Sequence, residues 1–166
     1  MKHTLSVPSP IGKLWLEEED GAISGLRFAA PAAPAAPARP ALEQQTSPLL
    51  EQAKQQLAEY FAGRRQVFDL PLRVQGTPFQ QRVWAALREI PYGQTRSYKQ
   101  IAEQIGSPNA SRAVGMANNR NPIAILIPCH RVIGADGSLT GYAGGLAAKE
   151  RLLALEAAVL GEGRKW

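Results

Sequence analysis

The chain predicts an α+β fold in two parts: a small N-terminal antiparallel-sheet domain with a helix (residues 1–75), then a mostly helical, winged-helix-like domain (residues 76–166) containing a helix-turn-helix. Three observations carry this. Strand-like pieces meet at Asp20-Gly21, a well-marked helix start follows the joint at Gln75-Gly76, and two short helical patterns are separated by Gly106. At 166 residues the chain is long enough to bury a sizeable core.

In chain order, Leu14-Trp15-Leu16 and Ile23 to Phe28 read as strands, and Asp20-Gly21 suits the tight turn of a hairpin. Residues Ala29 to Ala41 are almost all Ala and Pro, which predicts a flexible or polyproline-like loop. A helix should start at Ser47-Pro48 with Leu50, Ala53, Leu57 and Tyr60/Phe61 on one face and Gly63 as its stop. Phe68, Leu70, Leu72 and Val74 alternate with polar residues and Pro71, the pattern of an edge strand. His3 has no nearby ligand or acid in this reading and is an ordinary surface residue.

Thr77 is a natural N-cap, Pro78 fits the first helical position and Gln80 completes a capping box. Phe79, Val83, Leu87 and Ile90 form the buried stripe of that helix, which Pro91-Tyr92-Gly93 ends. Ser97 can cap a short helix that turns Ile101, Ala102 and Ile105 inward until Gly106. A second starts at Ser107-Pro108 and runs through Ala110, Ser111, Arg112, Ala113, Val114, Gly115, Met116 and Ala117. The outline is that of a helix-turn-helix, although such pairs also serve as plain packing units. The second helix favours nucleic acid: its small side chains allow close approach to a groove, and Arg112 could enter the base stack or reach a phosphate. The last helix, Gly145 to Val159, places Lys149, Leu152, Leu153 and Glu156 on one face. Taken by itself Glu156 fits a surface position at the edge of that stripe, unless a partner such as His130 justifies its burial.

The net charge is +5, with eight Lys/Arg against eight Asp/Glu in residues 1–75 and eleven against six in residues 76–166. All the excess positive charge therefore lies in the second half, as a solvated basic surface or a phosphate-backbone footprint. Nothing resembles a signal peptide or a membrane span, so the chain reads as soluble and cytoplasmic, with no membrane partner.

Cys129 is the single cysteine, set in Ile127-Pro128-Cys129-His130-Arg131-Val132. A lone thiol makes neither an intramolecular disulfide nor a zinc cluster, which leaves an inert filler or a nucleophile. The apolar run Ile123 to Ile127 suits a buried strand or extended segment, and Pro128 puts the thiol at its exit. Activation needs a base or a positive potential. In an extended segment the His130 side chain points away from that of Cys129, so a bridging water is the more natural proton route. Glu156 could orient the imidazole as in a Cys-His-acid triad, an arrangement that would equally suit a cysteine hydrolase.

Pro128-Cys129-His130-Arg131-Val132, preceded by Asn121-Pro122 and followed by Gly141-Tyr142-Ala143-Gly144-Gly145, resembles the active-site segment of the O6-alkylguanine-DNA alkyltransferases. The resemblance continues through Gln80 to Trp84, Ile90 to Gly93, Ser97-Tyr98, Arg112 to Gly115 and Lys149 to Glu156, covering nearly all of residues 77–158. It implies irreversible, single-turnover transfer of an alkyl group from guanine O6 in double-stranded DNA to Cys129, with O4-alkylthymine as a further substrate to be tested. His130 would activate the thiol through water and Glu156 would hold His130. Asn121 would brace the thiol-bearing loop, and Tyr98 would donate toward guanine N3 and favour base flipping. Arg112 would fill the vacated stack, with Ser97, Ala110, Ser111, Ala113 and Gly115 on the same DNA-binding unit. The Val132 main chain would accept from the exocyclic amine, and Tyr142, Ala143, Gly144 and Lys149 would belong to the substrate pocket. Extrusion makes chemical sense, because O6 of a stacked guanine is out of reach of an internal thiol.

Position 143 holds Ala where some members carry Ser, removing a side-chain donor to O6. No metal or cofactor is expected, since one Cys and two His cannot supply a four-ligand structural site. The resemblance fits a monomer in solution and leaves cooperative assembly on DNA open. The related non-catalytic lesion binders replace the acceptor cysteine, which is present here.

Overall fold

The computed structural model describes residues 2–28, 46–142 and 144–161. It divides into two compact units, Met1–Arg73 and Val74–Trp166.

The first unit is built on a three-stranded antiparallel sheet in the order β1 (Lys2–Val7), β2 (Leu14–Glu19), β3 (Ala22–Phe28). The β2–β3 hairpin turns through Asp20 and Gly21, both at positive φ, 52° and 82°, as a two-residue turn of this hand demands. β1 escapes the sequence reading, because only Leu5 and Val7 mark its buried side. Its register sets His3 opposite Glu18, with His3 Nδ1 3.8 Å from Glu18 Oε2, so His3 does have an acid beside it, contrary to expectation. The Ala/Pro-rich segment 29–41 lies outside the described residues.

α1 (Pro48–Phe61) starts at Ser47, whose hydroxyl accepts from the Leu50 N–H, and buries Leu50, Ala53, Leu57 and Tyr60 as its spacing requires. Buried Gln56 joins that face because its amide is satisfied twice, by the N–H and the C=O of Asp69. Those bonds explain why 68–74 is not the expected edge strand. Asp69 spends its backbone groups on Gln56 and Pro71 has no N–H, leaving an isolated bridge from Leu72 to Ile23.

In the second unit α2 (Pro78–Arg88) has the full capping box between Thr77 and Gln80. Val83, Leu87 and Ile90 are buried as expected. Phe79 is only half-buried beneath the Arg82 guanidinium, and Trp84 is buried instead, its indole N–H donating to the Ala117 carbonyl at 2.9 Å. β4 (Arg96–Ser97) leads into α3 (Tyr98–Gln104), which Ser97 and Gln100 cap reciprocally. α4 spans Ser111–Asn119 and so begins later than Ser107-Pro108 suggests. The Ala110 N–H turns back to the Ser107 carbonyl, which makes 107–110 a turn of its own. β5 (Val132–Ile133) pairs in parallel with β4, a contact between segments too short to show in the sequence. α5 (Leu146–Val159) completes the unit, its entry set by Gly145 at φ 92°. Among the described residues no helix is long and apolar enough to cross a membrane.

Candidate active site

The run Ile123 to Ile127 is a buried turn and not a strand. Its backbone closes on itself through Leu126 N–H to Ala124 O at 2.8 Å and Ile127 N–H to Ile123 O at 3.0 Å. This places buried Ile125 at φ 70°, a left-handed conformation costing a β-branched residue about 1–3 kcal/mol. Asn121 holds the turn from both sides, accepting from the Ile123 N–H and donating to the Ile127 carbonyl at 2.8 Å. Pro128 then feeds Cys129–Arg131, a single 3-10 turn where an extended segment was expected. The turn lets His130 and Arg131 both reach the last helix, which an alternating strand would prevent.

Glu156, on α5, is fully buried and not at a surface edge. Among the described residues its carboxylate accepts from His130 Nε2 at 2.7 Å, Arg131 Nε at 2.9 Å, Arg131 Nη2 at 3.0 Å and the Gly93 N–H at 3.0 Å. Arg131 also donates to the Ile90 carbonyl at 2.8 Å, tying the end of α2 to the thiol-bearing turn. Gly93 sits at φ 77°, a left-handed conformation that residues with a side chain adopt only with strain. Burial pushes the Glu156 pKa up, but His130 and Arg131 outweigh it and hold the carboxyl well below the usual range. Burial lowers the pKa of His130 despite the attraction of Glu156. The pair is therefore a carboxylate and a neutral imidazole. A carboxylate only accepts, so Nε2 carries the imidazole hydrogen and Nδ1 keeps its lone pair, with no hydrogen-bond partner among the described residues.

Cys129 is 5% exposed. Burial pushes its thiol pKa up, while a hydrogen bond with the Asn121 side chain, the positive charge of Lys149 and the Tyr142 side chain pull it back. Lys149 is fully buried, its ammonium donating to the Thr140 carbonyl at 2.8 Å; burial lowers its pKa to about 8 against the attraction of the thiolate. Burial and the nearby thiolate raise Tyr142 well above an ordinary phenol. The Tyr98 hydroxyl is 2.8 Å from Thr140 Oγ1, so Thr140 joins two of the expected site residues. Val132 is buried in β5, and Gly144 is half-buried just before α5. Ala143 lies outside the described residues.

On the helix pair, Ser97 serves as the cap of α3 and Ala110 as the N-cap of α4. Ser111 is half-buried, while Arg112 and Ala113 are exposed. Gly115 flanks the Tyr98 ring, where a Cβ would sit at an ordinary 3.7 Å.

Sequence reasoning missed three contributors. Arg131 was legible only as part of the motif, although a buried cation beside a histidine calls for a carboxylate. Buried Asn118 donates to the Cys129 carbonyl at 3.4 Å, and nothing in the small-residue pattern of α4 singles it out. Thr140 carried no signal at all. Among the described residues no group of three His, Cys, Asp or Glu is placed to hold a metal.

Residues 78–158 match the 6-O-methylguanine DNA methyltransferase DNA binding domain, and residues 1–74 match the 6-O-methylguanine DNA methyltransferase ribonuclease-like domain. A methylated-DNA–protein-cysteine methyltransferase of Mycolicibacterium paratuberculosis is 52% identical over 151 residues, covering 91% of this chain and 90% of the relative. The constitutive methylated-DNA–protein-cysteine methyltransferase of Bacillus subtilis is 49% identical, covering 87% and 88%. The crystal structure of Mycobacterium tuberculosis OGT in complex with DNA superposes with a TM-score of 0.83 at 48% identity, covering 95% and 94% of the two chains.

Proposed function

The chain belongs to the 6-O-methylguanine DNA methyltransferase family, and from that premise we propose that it repairs DNA by moving an alkyl group from O6 of guanine to Cys129. The observation that carries this reading is the buried thiol held one residue from an imidazole whose tautomer Glu156 and Arg131 fix. In the proposed step the sulfur forms a bond to the alkyl carbon as the carbon–O6 bond breaks, and the bonding pair leaves with the guanine. The thiol proton passes through water to His130 Nδ1. Guanine takes up a proton at N3 from Tyr98, and the His130 imidazolium then gives up its proton through water to restore the Tyr98 hydroxyl, so that in net the thiol loses one proton and the base gains one. Asn121 braces the turn, Lys149 supports the thiolate by its charge, and Val132, Tyr142, Ala143 and Gly144 form the pocket. No cofactor enters this balance. Arg112 occupies the space left by the extruded base, with Ser97, Ala110, Ser111, Ala113 and Gly115 shaping the surface around it. The alkyl thioether has no good leaving group, and no second cysteine is available to accept the alkyl carbon, so each molecule acts once.

The protein acts as a cytoplasmic monomer on duplex DNA carrying alkylated guanine. The experiment is incubation with duplex DNA labelled in the methyl of O6-methylguanine. Label should move to protein and plateau at one per molecule. Label that remains on bound DNA would mean a lesion binder without chemistry, and no association with DNA would point to a cysteine hydrolase.

A further inference from the structure

The open face of α4 has an apolar centre. Projected at 100° per residue, Val114, Ala117 and Asn118 face the core, whereas Asn119, Arg112, Met116, Arg120 and Ala113 fall in that order within about 120° of arc. Met116 is the middle of the five and is 59% exposed. An isolated exposed methionine needs no explanation. This one lies between two exposed arginines on a helix whose other outward side chains are short or polar, so its thioether stands proud with cations on either side. Along the axis, Arg112 is about 6 Å to one side and Asn119 about 4.5 Å to the other. Asn119 lies against Gly141, where a Cβ would meet its amide at 3.1 Å, next to the pocket residue Tyr142.

We propose that Met116 is an apolar wedge into the DNA minor groove, placed between the arginine that enters the stack and the rim of the thiol pocket. The inference rests on the proposed DNA-repair function and adds a contact residue to it. The occupant is DNA because the flanking cations attract phosphates, while a flexible, polarisable side chain can pack on sugars and base edges whatever the sequence. Such a contact neutralises no phosphate. Its loss therefore weakens binding without altering the salt dependence, which separates it from its arginine neighbours.

Full-length protein is titrated onto an undamaged duplex, followed by anisotropy at several salt concentrations, for wild type, Met116→Ala, Met116→Leu and Arg120→Gln. Met116→Ala should weaken binding by about tenfold at every salt concentration. Met116→Leu should stay near wild type, and Arg120→Gln should reduce the salt slope by about one. The wedge is overturned if Met116→Ala binds like wild type, or if it changes the slope as an arginine variant does. Sedimentation of the DNA-free proteins supplies a second readout. A shift in association state on Met116→Ala would assign the residue to contact between copies and also overturn the proposal. Failure of the wild type to bind duplex would instead defeat the repair function itself.

Discussion

Arg131 and Glu156 meet through two parallel bonds, Nε to Oε1 at 2.9 Å and Nη2 to Oε2 at 3.0 Å, with both residues buried. The guanidinium neutralises the carboxylate that orients His130, so the imidazole is held by a charge without being protonated by it. The arrangement makes Glu156→Gln a stringent test. The amide keeps the shape, but it leaves Arg131 unpaired and no longer dictates the His130 tautomer. Transfer should slow by roughly 10²- to 10⁴-fold, and stability should fall by about 3–5 kcal/mol because a buried charge loses its partner. Single-turnover kinetics and denaturant melts check the two effects separately, and an unchanged transfer rate would remove Glu156 from the mechanism.

Cys129→Ala should abolish transfer and leave affinity for undamaged duplex nearly as it was, because the exposed face of α4 does not include the thiol. Gel-shift and label-transfer assays on the same preparation decide it. Joint loss of both activities would misplace the DNA surface.

Acid should destabilise the fold in two stages. Burial keeps His130 below its ordinary 6.5, and Glu156 is held below its ordinary 4.5 by His130 and Arg131 against the effect of burial. In both cases the unfolded chain binds a proton that the folded chain refuses, so stability rises with pH across each window. Thermal melts should show Tm falling as pH drops below about 6.5 and again below about 4.5. A flat profile from neutral pH to about 5 would contradict the neutral, buried His130.

Lys149 gives the alkaline limb its shape. Its ammonium, lowered to about 8 chiefly by burial, supports the thiolate only while charged. Lys149→Met should raise the pH at which Cys129 reacts and slow transfer at neutral pH. In the wild type, the gain in rate with pH should flatten once Lys149 begins to lose its proton. Stopped-flow alkylation by free O6-benzylguanine measures both, and superimposable pH profiles would exclude the lysine.

Arg112→Ala separates flipping from chemistry. Unstacking a base costs a few kcal/mol, so losing the residue that fills the gap should slow repair of a duplex lesion by about tenfold or more. Reaction with free O6-benzylguanine should remain near normal, because that base needs no extrusion. Equal slowing of both substrates would move Arg112 into the core or the pocket.

Local rules were enough for much of this chain. The Asp20-Gly21 hairpin, the Ser47 and Thr77 caps with proline at the first helical position, and the Gly106 break each depend on a few adjacent residues, and the structure has them all. The motif around Cys129 likewise marked the thiol, the histidine and the final helix. Tertiary structure decided the rest. Burial with competing hydrogen bonds turned two strand-like patterns into other things: Gln56 takes the backbone of Asp69, and Asn121 folds Ile123 to Ile127 into a turn. The same holds for Glu156, which periodicity alone leaves at the edge of its helix. Only a 3-10 turn brings His130 and Arg131 to one carboxylate, and a buried charge persists only where partners distant in sequence converge on it.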